Sequence, residues 1–237
     1  MSTASDPTLG YASEGGPGRG ANRDKLAFYR PDDADLAQMA GSIYVVADAQ
    51  GAGEAGGGLA ETAVRQLVRA YYAAVNDHGR SDALALAFAA ADRVLRTAEP
   101  GATAPAKGGL CVAAAVLCND SLIVGQVGPR VRVHLVRAGQ AYRLTEEEDA
   151  GRLGWGPPAR PICGDPIPLG GGDRIVLSSD GCFQRLDEAE IGPTCISQPA
   201  TAAAARLLAL ARAAGSGDDA TALVVAPYEQ APAQPLA

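Results

Sequence analysis

Apolar positions recur with a helical period in two consecutive stretches of this chain. The first carries Val64, Leu67, Val68, Tyr71 and Val75. The second follows His78-Gly79 and carries Leu84, Phe88, Ala91 and Leu95, with Ser81 as its expected N-cap. On either side of this block the period shortens to that of strands. Leu26–Tyr29 reads as a short strand and Ile43–Ala47 (IYVVA) as a buried one. Downstream, Leu110–Leu117, Leu122–Val127, Val131–Val136 and Ala141–Leu144 are punctuated by Asn119-Asp120, Gly128-Pro129 and Ala138-Gly139, the pattern of an antiparallel meander. Arg174–Ser179 (RIVLSS) and Thr221–Ala226 (TALVVA) are two further strands, with an Ala/Leu helix over 200–214 before the last. Strands in runs with helices segregated between them predict α+β layers. Residues 1–18, rich in Gly, Ser and Pro, read as a flexible N-terminal arm, and 227–237 as a flexible C-terminal tail around a single domain, 19–226.

Composition removes several function classes. The 237 residues carry a net charge of −7 and contain no Lys/Arg-rich run, so nucleic acid is not an expected partner. No apolar run approaches the roughly 18–20 residues of a membrane span, and the first twenty residues lack a signal peptide's basic start and apolar stretch, so no membrane partner is expected. Five cysteines without a CxxC pair read as small core residues in a reducing, cytoplasmic setting. His78 and His134 are not spaced as zinc ligands.

Three acidic points share a setting. Asp48 follows IYVVA, Asp180 follows RIVLSS, and Asp218-Asp219 precedes TALVVA. If these strands are neighbours, their carboxylates converge at one sheet end, where they repel unless a hard cation such as Mg²⁺ or Mn²⁺ lies between them. Asp beside Gly after a strand also simply makes turns, and spacing alone leaves both readings open.

Ordered segments from Arg19 to Ala226 resemble the metal-dependent protein phosphatases of the 2C type (PPM) in their short bacterial form. The family's R-x-x-N-E-D is similar to Arg19-Gly-Ala-Asn22-Arg23-Asp24, and its V-A-D-G-M-G-G-H to Val46-Ala47-Asp48-Ala49-Gln50-Gly51-Ala52-Gly53. G-T-T and N-V-G-D-S-R survive in degraded form as Gly108-Gly109-Leu110 and Gln126-Val127-Gly128-Pro129-Arg130. Gly139…Leu144-Thr145 matches G-x-x-x-x-L-T. G-D-R-x-x-L-x-S-D-G is nearly intact over Gly172–Gly181, and D-N-A-T matches Asp218-Asp219-Ala220-Thr221. The resemblance implies two stacked antiparallel β-sheets flanked by pairs of antiparallel helices, a four-layer αββα sandwich. It also implies two Mn²⁺ or Mg²⁺ ions. Asp48 would bridge them, the Ala49 carbonyl would hold the second, and Asp180 and Asp218 would complete the first. Asp24 and Asp219 would act at one remove through water, and Arg19 would bind the substrate phosphate. Two such ions about 3.5–4 Å apart share a water and lower its pKa toward neutrality, giving a hydroxide that attacks phosphoserine or phosphothreonine.

Departures from the family set further expectations. Arg23 stands where the family has Glu; a guanidinium about 6 Å from a divalent ion costs about 5 kcal/mol at an effective dielectric near 20. Asp219, in place of Asn, can offset that charge. Pro129 replaces the aspartate of a third metal site, and Gln50 removes a candidate acid. The short Gly/Pro-rich interval 145–172 implies an open, shallow cleft, with Trp155 read as a hydrophobic plug on the sheet in preference to a substrate contact. Two functions follow. One is a Mg/Mn-dependent serine/threonine phosphatase acting on phosphorylated proteins, a cognate kinase among its partners, as a monomer. The alternative is a catalytically silent phosphatase-like module that binds phosphorylated signalling partners.

Overall fold

Alternation along each strand separates two apolar faces, and the computed structural model, which describes residues 8–49, 55–97, 109–147 and 151–227, stacks those faces into layers. In chain order the elements are β1 (Leu9–Glu14), β2 (Lys25–Tyr29), α1 (Ala34–Ala40), β3 (Ser42–Ala49), α2 (Ala55–Thr97), β4 (Leu110–Cys118), β5 (Ser121–Val127), β6 (Val131–Arg137), β7 (Gln140–Arg143), β8 (Ile162–Cys163), β9 (Ile167–Pro168), β10 (Arg174–Ser179), α3 (Asp180–Phe183), α4 (Glu188–Ile196), α5 (Ala200–Ala213) and β11 (Ala220–Val225). One sheet has the order β1-β11-β10-β6-β7 and the other β2-β3-β4-β5-β8, with β9 also on β5; every pairing is antiparallel.

Odd and even positions have different destinations. In β3, Tyr44 and Val46 face the other sheet, meeting Val133, Ile175, Leu177 and Leu223, while Ile43, Val45 and Ala47 face α2. In the first sheet, Val136, Val176, Ala222 and Val224 pack on α5 and its neighbours. The expected α+β sandwich of two antiparallel sheets with helices outside is what the chain forms. Gly79, at φ 71° and ψ 172°, interrupts α2. The half before it runs from Gly57, beside Lys25, to Tyr72, which donates to Gly41 O. The half after it returns to Asp92, which accepts from Gly154 N beside the Leu110–Leu153 bridge. The two expected helices are therefore a hairpin turned at this glycine, two positions before the expected Ser81 cap.

The structure corrects three expectations. Leu9–Glu14, placed in a flexible arm, is a full edge strand paired with β11 from Leu9↔Val225 to Glu14↔Ala220. Gly10, read as a sign of flexibility, is there because a Cβ would lie 2.0 Å from Ala200 O, where α5 crosses the strand. The meander is divided, because β4 and β5 belong to one sheet and β6 and β7 to the other. Leu153, bonded through its backbone to Leu110, is the buried residue of the Gly/Pro-rich interval, whereas Trp155 is exposed. Residues 1–7, 228–237 and Gln50–Gly53 lie outside the described residues. All five cysteines are free, and all but the half-buried Cys163 are buried. Among the described residues no helix is long and apolar enough to cross a membrane.

His134, on the helix-facing side of β6, is completely buried. Neither ring nitrogen has a hydrogen-bond partner, and Glu188 Oε1 stands 3.7 Å away. Burial lowers its pKa from 6.5 to about 4; Glu188 pulls the other way, and Arg132 and Arg143 reinforce the lowering. Its contribution to stability is fully present above 6.5 and is lost as pH falls toward 4, by about 3 kcal/mol in total. Urea titrations at pH 7.5 and 4.5 should show that loss in the wild type relative to His134→Leu. Parallel pH profiles in the two proteins would refute the assignment.

Candidate active site

The same alternation carries acidic groups to the end of the inter-sheet core. Asp48 continues the Tyr44–Val46 face of β3 and lies opposite Cys111 of β4. Asp24, just ahead of β2, is buried and accepts Ser179 Oγ–H at 2.6 Å; Ser179 Oγ in turn accepts Thr221 N–H at 2.9 Å. Asp180 follows β10 as the first residue of α3. Asp218 and Asp219 lead into β11, the partner of β10. These five carboxylates thus meet where the sheets open.

The N-terminal loop closes over this end. Gly16 N–H donates to Asp219 Oδ1 at 2.8 Å, and Arg23 donates to Asp219 Oδ2 from its backbone N at 3.0 Å and its Nε at 3.2 Å. Arg212 anchors the same loop through Glu14 O, Gly15 O and Asp218 O. A turn closed by Arg19 N–H to Gly16 O brings the Arg19 guanidinium onto Asp218 Oδ1, with its side chain still 39% exposed at the rim.

A cation stands in the middle. The loop Gly128-Pro129-Arg130 joins β5 to β6, and Gly128, at φ 81°, passes so close to Cys111 that a Cβ would meet its sulfur at 2.4 Å. Arg130 O then accepts Asp180 N–H at 3.0 Å, which holds the residue beside both sheets. Its Nε lies 3.2 Å from Asp48 Oδ2, its Nη1 2.9 Å from Asp180 Oδ2 and its Nη2 3.3 Å from Asp218 Oδ2. One guanidinium fork holds three carboxylates.

That single charge does not neutralise the cluster. Burial, then repulsion from Asp24 and Asp180, raises the Asp48 pKa well above the ordinary carboxylate value despite Arg130. Burial likewise raises Asp180, with Arg130 opposing. Asp24 is raised to about 6 by burial, with the Ser179 hydrogen bond opposing. Asp219 differs: burial opposes its ionisation, but the Gly16 and Arg23 amides and the Arg23 guanidinium outweigh burial and hold its pKa low.

These contacts place each expected residue. Asp48, Asp180 and Asp218 share one partner, Asp24 lies directly behind them, Ala49 closes β3 opposite Leu110, and Arg19 sits at the rim. Asp219 is engaged by the N-terminal loop, and Arg23 is turned onto Asp219. Gln126 clamps the chain beyond Thr145 through Glu146 N and O, a role its sequence context did not signal. Arg130 was legible only as a basic residue closing a degraded hairpin motif.

The donor set suits a hard divalent ion, since it is all carboxylate and Asp180 Oδ1 is buried with no hydrogen-bond partner. The present spacing suits the guanidinium instead: among the described residues no three His, Cys, Asp or Glu side chains are drawn together as a metal centre.

This two-sheet sandwich with acidic strand ends is the fold of the PPM-type serine/threonine phosphatases. The serine/threonine phosphatase of S. agalactiae is similar at TM-score 0.74 and 22% identity, covering 92% of this chain and 98% of that one. PppA, a regulatory component of the Pseudomonas aeruginosa T6SS, is similar at TM-score 0.73 and 22% identity, over 92% and 96% of the two chains. MsPP, a PPM Ser-Thr phosphatase from Mycobacterium smegmatis solved with cacodylate, is similar at TM-score 0.68 and 25% identity, over 92% and 97%. No family model and no curated protein sequence matches the chain.

Proposed function

We propose that this protein is a Mg²⁺- or Mn²⁺-dependent phosphatase of phosphoserine and phosphothreonine in proteins. The observation that carries the reading is the convergence of Asp48, Asp180 and Asp218 on one point at the open end of the sandwich. Those carboxylates, with the Ala49 carbonyl, would hold the ions, and Arg19 at the rim would take the substrate's phosphate oxygens in its planar fork. Bound divalent ions supply a hydroxide nucleophile at neutral pH and neutralise the phosphoryl oxygens. The buried Asp24–Ser179–Thr221 chain fixes β10 and β11 relative to one another, and so fixes Asp180 and Asp218. No protein nucleophile is required. Burial pushes the Cys182 thiol, close to Asp180, up to about 12, which leaves it protonated.

A specific observation supports the second reading, a silent module that binds phosphorylated partners: the Arg130 fork already holds all three carboxylates. The two readings separate in one assay. Purified protein with millimolar Mn²⁺ should release phosphate from a phosphothreonine peptide and stop on chelation. Absence of metal-dependent release at saturating Mn²⁺ would leave the binding module. Partners in either case are phosphorylated proteins of a kinase pathway.

A further inference from the structure

We propose that Arg130 is a tethered counter-ion that competes with the divalent ion for Asp48, Asp180 and Asp218, so that the site loads metal only when this side chain withdraws. The inference rests on the metal-binding reading of the three carboxylates and adds a regulatory part to it.

The geometry argues for competition rather than coexistence. Each of three guanidinium nitrogens faces an oxygen of a different carboxylate among those that would hold the ion. An ion on those oxygens would lie within a few ångströms of the guanidinium carbon, where like charges in a partly buried site repel strongly. The loop makes the arrangement persistent, because the Arg130 backbone is bonded to Asp180 N and Gly128 is packed on Cys111. The side chain itself is able to withdraw: it is 22% exposed, and its guanidinium contacts among the described residues are to these three carboxylates. The neighbouring cations are occupied elsewhere, with Arg23 on Asp219 and Arg19 on the outer oxygen of Asp218. Removing Arg130 therefore leaves the inner carboxylates without a counter-ion.

Two consequences follow. Arg130 partly neutralises the acidic cluster, so the fold should not depend on bound metal. If the guanidinium holds the carboxylates nine-tenths of the time or more, apparent metal affinity falls by about tenfold or more.

The test is calorimetric titration of Mn²⁺ into wild type, Arg130→Ser and Arg130→Met, with thermal melts of each in chelator and in excess Mn²⁺. Both variants should bind Mn²⁺ at least about tenfold more tightly than wild type. In chelator both should melt below wild type, and Mn²⁺ should raise their melting temperatures more than it raises that of wild type. Binding in the variants with none in wild type supports the proposal in its strongest form. Equal Mn²⁺ affinity in all three proteins, with binding lost in Asp48→Asn, overturns the competition and leaves the metal site standing. No Mn²⁺ binding by any of the three, with melts confirming folded protein, overturns both the competition and the metal-dependent reading.

Discussion

Asp48→Asn should abolish Mn²⁺ binding and phosphate release while making the metal-free protein more stable. The two effects have one cause. Asp48 is almost fully buried, with Asp24 and Asp180 repelling it, and its pKa is raised although Arg130 stands 3.2 Å away. A carboxyl whose folded pKa is raised stabilises the fold fully only below its unfolded pKa, and that contribution is lost as pH rises through the folded value. Above the raised folded value the native protein carries this cost in full, and an isosteric neutral amide removes it. A gain of about 1–3 kcal/mol is expected, or roughly 3–10 °C in melting temperature for a chain of this size. The gain should shrink as pH is lowered and the carboxyl becomes protonated. Activity should fall by more than the roughly 10–100-fold lost on mutating residues that only support a ligand. Asp180→Asn should match it in metal binding but not in stability, because Asp180 holds Arg130 more closely, at 2.9 Å against 3.2 Å for Asp48, and also accepts the Gln184 hydrogen bond at 3.1 Å. Melts across pH with calorimetry check both. Retained Mn²⁺ binding in Asp48→Asn would refute the site.

The layers were legible because period-two and helical alternation are local properties. IYVVA, RIVLSS and TALVVA become β3, β10 and β11, with the acidic residues at their ends. Convergence of those ends was expected only through the ordered motifs, since the neighbour relations of β1, β11, β10 and β6 are long-range pairings that no local pattern encodes. Strand β1 was misread because Gly10, needed for the approach of α5, is compositionally the same as a glycine in a mobile arm. Helix α1 escaped notice because it is short, and α4 because Pro193 lies within it. Arg130 was missed for a different reason. Its effect comes from where a long side chain reaches after the chain has crossed from one sheet to the other, and only the assembled loop reveals that.

Arg23→Glu should destabilise the protein by about 3–5 kcal/mol at neutral pH, the range seen when one partner of a buried ion pair is removed. From the sequence alone, Arg23 either repels the second metal, so that the substitution improves metal binding, or lies in solvent, so that it changes almost nothing. The structure shows a third arrangement, because Arg23 Nε is 3.2 Å from Asp219 Oδ2 and both its amide and its guanidinium hold that carboxylate. Asp219 is almost completely buried, and its low pKa depends on these donors. A glutamate at position 23 replaces an attraction with a repulsion against a group that has little access to water. The loop that carries Arg19 hangs on the same carboxylate through Gly16 N, so phosphate binding at the rim should weaken along with the fold. Asp219→Asn in the same chain removes the repelling charge and keeps one oxygen for the amide donors, so the double variant should recover part of the loss. The coupling between the two positions should be about 1–3 kcal/mol in a double-mutant cycle followed by urea unfolding. If Arg23→Glu leaves stability unchanged and lowers the Mn²⁺ concentration for half-activity, the side chain acts on the ion and not on Asp219.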